Sequence, residues 1–248
     1  LGRLKDALLA FKKAVDINPV YSEAYNNLGN TFKALEDSKQ AVECYEKAIK
    51  INPDYPSLHN NLGNAFIDLR RLDDALIAFK DALIHNPDYH ESLNSLGVTL
   101  FKTGDHTEAI RVLKKAIKVK PDFVEAYLNL SEILKQTDQR DEAKECLRNA
   151  IQVNPDVADI HNNLGALFYA DEFFEESIKC FKKAIEIDPK LADIYNNLGN
   201  AFKDTELFEE AMKSYEKAIE LDPNSAEIHN NFGSLLSENL SRHDDAII

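Results

Sequence analysis

Tryptophan is absent from this 248-residue chain, methionine occurs once, and glycine and proline occur eight times each. With so little glycine and no β-branched runs, an all-β fold has no support. No apolar stretch approaches the roughly 18 residues needed to span a bilayer, and the N-terminus lacks the apolar core of a secretory signal. Positive charge is also scarce: 29 Lys and Arg stand against 43 Asp and Glu, a formal net charge of −14. Nucleic-acid and anionic-membrane binders draw affinity from clustered Lys and Arg, so neither class of partner is expected. Phosphate loops, nucleophile motifs and dinucleotide fingerprints are missing as well, and no cofactor or catalytic residue is assigned.

What is present is a period. Pro19, Pro53, Pro87, Pro121, Pro155, Pro189 and Pro223 lie 34 residues apart, and Pro56 alone falls outside the series. A fixed period of this size marks stacked repeats, each burying its apolar face against its neighbours. In residues 22–55, Ala24, Leu28 and Phe32 form one apolar stripe of helical spacing. After a polar turn through Glu36, Asp37 and Ser38, residues Ala41, Tyr45, Ala48, Ile49 and Ile51 form a second stripe, which Pro53 ends. Ala48 recurs as Ala14, Ala82, Ala116, Ala150, Ala184 and Ala218, which predicts close approach of helices. Gly29 recurs as Gly63, Gly97, Gly165, Gly199 and Gly233 despite a helix penalty of up to about 1 kcal/mol, which predicts a partner helix passing near it.

The motif Tyr25-x2-Leu28-Gly29-x2-Phe32, then Ala41-x3-Tyr45 and Pro53, resembles the tetratricopeptide repeat. The resemblance covers residues 1–248: a second-helix remnant at 1–21, repeats at 22–55, 56–89, 90–123, 124–157, 158–191 and 192–225, and an incomplete unit at 226–248. It implies an all-α solenoid of stacked antiparallel helix pairs, wound as a right-handed superhelix with a concave groove lined by the first helices. Departures are few. Tyr25, His59, Leu93, Tyr127, His161, Tyr195 and His229 replace the pattern's tryptophan, Ser131 replaces the glycine, and Ser177 replaces an alanine. One extra residue precedes Ala246, so the register slips there. The chain starts and ends inside repeats and is expected to be a piece of a longer protein.

Cys44, Cys146 and Cys180 share one repeat position, filled elsewhere by Ala10, Ala78, Val112 and Ser214. Equivalent helices about 8–10 Å apart exceed the roughly 7 Å limit for a disulfide, so free thiols in a reducing, intracellular and cytoplasmic setting are expected. The histidines fall singly, without a second ligand at metal spacing, and His59, His161 and His229 are expected at the edge of the core.

Asparagine is a poor helix former, about 0.5 kcal/mol worse than alanine, yet it forms rows here. Asn27 recurs as Asn61, Asn129, Asn163, Asn197 and Asn231. Asn26 recurs as Asn60, Asn94, Asn162, Asn196 and Asn230. Asn30, Asn64 and Asn200 add a third row. Carboxamides in a groove can bond the backbone of an extended peptide, or they can bond adjacent helices. Residues 22–55, with AYNNLGNT, Cys-Tyr and Ile-Asn-Pro, resemble repeats in the tetratricopeptide arm of O-linked N-acetylglucosamine transferases. That resemblance implies that an asparagine ladder, here Asn27 and its counterparts, grips substrate peptide, and it makes a transferase's recruiting arm the alternative to a stand-alone scaffold. Glu23, Glu91, Glu125, Asp159, Asp193 and Glu227 form an acidic row, with Ser57 as the exception. The row disfavours capture of a terminal carboxylate and favours neutral or basic peptide segments of other proteins. The sequence leaves the oligomeric state open.

Overall fold

The residue before each periodic proline from Pro53 to Pro223 is out of the α conformation, because the ring clashes with it there. Asn52 has φ −135° and ψ 83°, and Asn86, Lys120, Asn154, Asp188 and Asp222 share that geometry. Each of these amides still closes the helix behind it; Asn52 N–H, for instance, donates to the Ala48 carbonyl at 2.9 Å. The proline period is therefore a period of helix ends.

The computed structural model describes residues 2–245, with side chains through Ser237. Among these residues there are fourteen helices and no strand. The helix α1 spans Gly2–Ile17. First helices are α2 Ser22–Ala34, α4 Pro56–Asp68, α6 His90–Lys102, α8 Val124–Gln136, α10 Ala158–Ala170, α12 Ala192–Asp204 and α14 Ala226–Asp245. Second helices are α3 Ser38–Ile51, α5 Leu72–His85, α7 His106–Val119, α9 Arg140–Val153, α11 Phe174–Ile187 and α13 Phe208–Leu221.

The chain forms two compact units, one through Ile133 and one from Leu134, so their boundary lies within α8. In the first unit α2, α4 and α6 pack on their own second helices α3, α5 and α7. The second helices α3 and α5 pack on the following first helices, and α2, α4 and α6 touch in succession. In the second unit α9 through α14 pack in the same alternation, and α10, α12 and α14 touch in succession.

Each first helix but the last ends in the same turn. Glu36 takes φ 61°, Arg70 59°, Asp138 60°, Glu172 62°, Glu206 62° and Gly104 95°. Glu36 N–H donates to the Lys33 carbonyl and Asp37 N–H to the Phe32 carbonyl, both at 2.9 Å. This pair of bonds is a Schellman closure around a left-handed residue, and Arg70–Arg71, Gly104–Asp105, Asp138–Gln139, Glu172–Phe173 and Glu206–Leu207 repeat it. The next helix is capped at two of these turns, where Asp37 accepts from Gln40 N–H and Asp105 from Glu108 N–H at 3.2 Å. In contrast, α14 runs on for 20 residues where α2 has 13. The extra residue before Ala246 is expected at its end; Ala246 itself lies outside the described residues.

The core follows the two stripes. Tyr45, Phe79 and Leu113 in the first unit, and Leu147, Phe181 and Tyr215 in the second, are essentially inaccessible to solvent. All but Leu147, whose repeat carries Ser131, lie over the glycines of the first helices: a Cβ on Gly63 would sit 2.5 Å from Phe79 Cε1, and one on Gly199 2.7 Å from Tyr215 Cε1. Ala48 and its counterparts from Ala82 to Ala218 are fully buried. Gly29, Gly63, Gly97, Gly165 and Gly199 therefore sit where a larger side chain would clash, Gly233 being open, and the alanine row is closed off from solvent.

Candidate functional site

The first two asparagine rows bond to each other across neighbouring first helices. Asn61 Nδ2 donates to Asn26 Oδ1 at 2.9 Å, and Asn129 Nδ2 to Asn94 Oδ1 at 2.9 Å. In the second unit Asn197 Nδ2 donates to Asn162 Oδ1 at 3.1 Å and Asn231 Nδ2 to Asn196 Oδ1 at 3.0 Å. The donor always belongs to the later repeat. Where Ser95 interrupts the Asn27 row, Ser92 Oγ donates to Asn60 Oδ1 at 2.9 Å and Ser95 Oγ to Asn64 Oδ1 at 3.5 Å. The carboxamides of Asn27 and Asn163 make no hydrogen bond among the described residues, and both side chains are half-buried. In the third row Asn30 and Asn200 are tied within their own repeats: Tyr45 Oη donates to Asn30 Oδ1 at 2.7 Å and Tyr215 Oη to Asn200 Oδ1 at 2.6 Å. Burial pushes the Tyr45 phenol well above its ordinary pKa, so it remains a donor.

A bonded carboxamide is not a saturated one. A rung uses one N–H of the later residue and one lone pair of the earlier. The later residue keeps an N–H and its oxygen, and the earlier keeps both N–H groups. Half-used amides of this kind therefore remain along the first-helix faces.

The acidic row lies in the first turns of the first helices, where the helix dipole favours carboxylates. Glu23, Glu125, Asp159 and Asp193 are exposed and make no ion pair among the described residues. Glu91 is half-buried, its Oε2 3.1 Å from His90 Nδ1 at an angle that makes no hydrogen bond. A cavity of about 340 Å³ opens beside Glu23, lined also by Asn26 and Asn27 of α2 and by Asn52, Tyr55 and Leu58. Asn52 recurs as Asn18, Asn86 and Asn154 and Tyr55 as Tyr21 and Tyr89, but their place beside the periodic proline reads as turn chemistry, so the pattern does not single them out as a site.

The histidines at the tryptophan position have a structural task. His59 Nε2 lies 2.7 Å from the Pro53 carbonyl oxygen, His161 Nε2 2.9 Å from that of Pro155, and His229 Nε2 3.0 Å from that of Pro223. A carbonyl only accepts, so the ring nitrogen donates and ties each first helix to the turn before it. His59 and His161 are buried and His229 is exposed. Cys44 and Cys146 are buried, Cys180 is half-buried, and all three are free thiols. Burial pushes the Cys44 and Cys180 thiols up to about 11, so they stay protonated and poorly nucleophilic. Among the described residues no group of three or more His, Cys, Asp or Glu is arranged to hold a metal. No described helix is long and apolar enough to cross a membrane.

Models described as tetratricopeptide repeat match residues 10–43, 60–124, 100–167, 192–225 and 214–248, and one described as TPR repeat matches 29–69 and 174–205. No curated protein matches the chain. Among solved structures, Pseudomonas aeruginosa pilF is 20% identical, over 88% of this chain and 97% of that one, with a TM-score of 0.71. A chain of the APC/C hetero-tetramer Cut9-Hcn1 is 14% identical, with a TM-score of 0.69 over 95% of this chain. This chain spans only 46% of that relative's length. YrrB, a TPR protein with an unusual peptide-binding site, is 22% identical over 76% of this chain and 97% of its own, with a TM-score of 0.58. At these identities the likeness is one of fold.

Proposed function

Because the chain belongs to the tetratricopeptide repeat family, we propose that it is a non-catalytic interaction scaffold, holding an extended segment of a partner protein against its asparagine-bearing first helices. The observation that carries this reading is the half-used carboxamide rung. Its free N–H and oxygen suit a peptide backbone, which offers both groups whatever its side chains. The unpaired acids Glu23, Glu125, Asp159 and Asp193 add a preference for neutral or basic segments. YrrB supplies a precedent for peptide binding on this fold, and the Cut9-Hcn1 assembly one for a protein partner. The charge of −14 speaks against nucleic acid and anionic membranes as partners. No cofactor or metal enters the reading. The transferase-arm alternative rests on the resemblance of residues 22–55 alone, and the coding sequence beyond Ile248 tests it.

The scaffold reading is tested by selecting peptides from a display library on the intact chain. Their affinity is then measured with Asn27, Asn61, Asn163 and Asn197 together replaced by alanine. At about 1 kcal/mol per lost hydrogen bond the loss is at least about 100-fold. Undiminished affinity in a variant of unchanged helicity overturns the reading.

A further inference from the structure

Two repeat junctions pair an acid at the Glu23 position with an aromatic ring at the Tyr55 position, and they are finished differently. At the second, formed by Glu91 and Phe123, the residue before the proline is Lys120, whose ammonium lies over the Phe123 ring, 5.4 Å from its centroid. The chain thus supplies its own cation to that ring. At the first junction the corresponding residue is Asn52, which is neutral and too short to cover the ring. Tyr55 is 56% exposed, and no cation or second ring lies over it among the described residues. The space beside it is the 340 Å³ cavity, where Glu23 and the carboxamides of Asn26 and Asn27 share the wall with Tyr55. Glu23 has no cationic partner among the described residues, and Asn27 is the open end of the rung series.

We infer that this cavity is a subsite for a basic side chain of the partner segment, with a Lys or Arg cation held between the Glu23 carboxylate and the Tyr55 ring. An aromatic face and a carboxylate attract the same cation, one through the ring quadrupole and the other by direct charge. Leu58 at the cavity floor, 2% exposed, suits the methylene stem of the same side chain. Asn26 and Asn27 stand where the segment's backbone enters and keep unused N–H groups for it. The inference rests on the scaffold reading and adds to it the residue type read at one position.

The probe is Nα-acetyl-lysine methylamide, titrated into the intact isotopically labelled chain and followed by amide NMR shifts, with the neutral norleucine analogue alongside. Saturable shifts confined to residues 23–58 are expected, with a dissociation constant of about millimolar for so small a ligand. The norleucine analogue and the Glu23→Gln and Tyr55→Ala variants are each expected to weaken binding at least about fivefold. Asn52→Lys, which reproduces the Lys120–Phe123 arrangement, is expected to abolish binding while leaving the melting temperature unchanged. Equal binding of the norleucine analogue, full binding by Asn52→Lys, or no saturable shift in this region overturns the inference. If selected peptides still lose affinity on the asparagine replacements, the scaffold reading survives that failure.

Discussion

Gly63 and Gly233 occupy one repeat position but call for opposite responses to alanine. A Cβ on Gly63 meets Phe79 at 2.5 Å, whereas one on Gly233 meets nothing within 4 Å. Alanine gains about 1 kcal/mol of helix propensity at either site. At Gly63 displacing a fully buried ring costs about 1–3 kcal/mol, which outweighs the gain. Gly63→Ala is therefore expected to lower stability and Gly233→Ala to raise it, as chemical denaturation of each variant will show. The left-handed turn residues offer a second test. Glu172 at φ 62° carries a side chain where glycine is unstrained, so Glu172→Gly is expected to gain about 1 kcal/mol in the same assay. The glycine row and the reason for it were legible in the sequence, because a poor helix former recurred beside the leucine. The left-handed row was not: Glu, Arg and Asp advertise a polar turn but no sign of φ.

At the scale of helices, the turn between α10 and α11 is fastened to α9 by charge. Lys144 Nζ lies 2.7 Å from Asp171 Oδ2 and 2.8 Å from Asp141 Oδ1, and Arg140 Nη1 lies 2.9 Å from Asp171 Oδ1. The Lys144 ammonium also lies over the Phe168 and Phe173 rings, 6.0 and 5.8 Å from their centroids. Hydrogen bonds from Lys144 and Arg140 hold the Asp171 carboxyl below its ordinary pKa. A depressed folded-state pKa contributes stability above the unfolded value of about 3.9 and loses it as pH falls through the folded one. The stability difference between the native chain and Asp171→Asn is thus expected to be full at neutral pH and to shrink below about pH 4. A difference that stays constant through acid titration contradicts this. Tyr45→Phe offers a milder test within one helix pair. It removes the bond to Asn30 at 2.7 Å and is expected to cost about 1 kcal/mol in the denaturation midpoint, limited by the precedent of Phe79 at the same buried position. Helix pairs and their stripes could be read from spacing alone. The fastening at Asp171 could not, since it joins residues 27 and 31 positions apart that belong to no repeated row.

For the molecule as a whole, the charge of −14 sets the salt response. Most ion pairs are exposed, such as Arg71–Asp74 and Lys183–Glu186, and each contributes only about 0–1 kcal/mol. Screening them costs less than screening the surplus carboxylates gains. Raising ionic strength from about 10 to about 150 mM is therefore expected to raise the melting temperature, because the Debye length shrinks from about 30 to about 8 Å. A fall on adding salt would show that local pairs outweigh the net repulsion. The same excess of carboxylates, through the acidic row, is the ground in residue types alone for the proposal of neutral or basic partners. The asparagine rows were legible as anomalies and bonding to adjacent helices as one reading of them, but which amide pairs with which was not. The donor and acceptor of a rung are 35 positions apart while the repeat is 34, and a one-residue offset is invisible until the helices are placed.

That offset bears on how such a chain can change over generations. Residues 22–55 and 192–225 each bring both an Asn26-type acceptor and an Asn27-type donor. A repeat of this kind copied in frame into the middle of a gene would arrive already able to bond to its neighbours on either side. Array length is then free to vary by whole units without any compensating substitution. A repeat with Leu128 or Ser95 in these rows lacks one half of the link, and its copies would carry the gap with them.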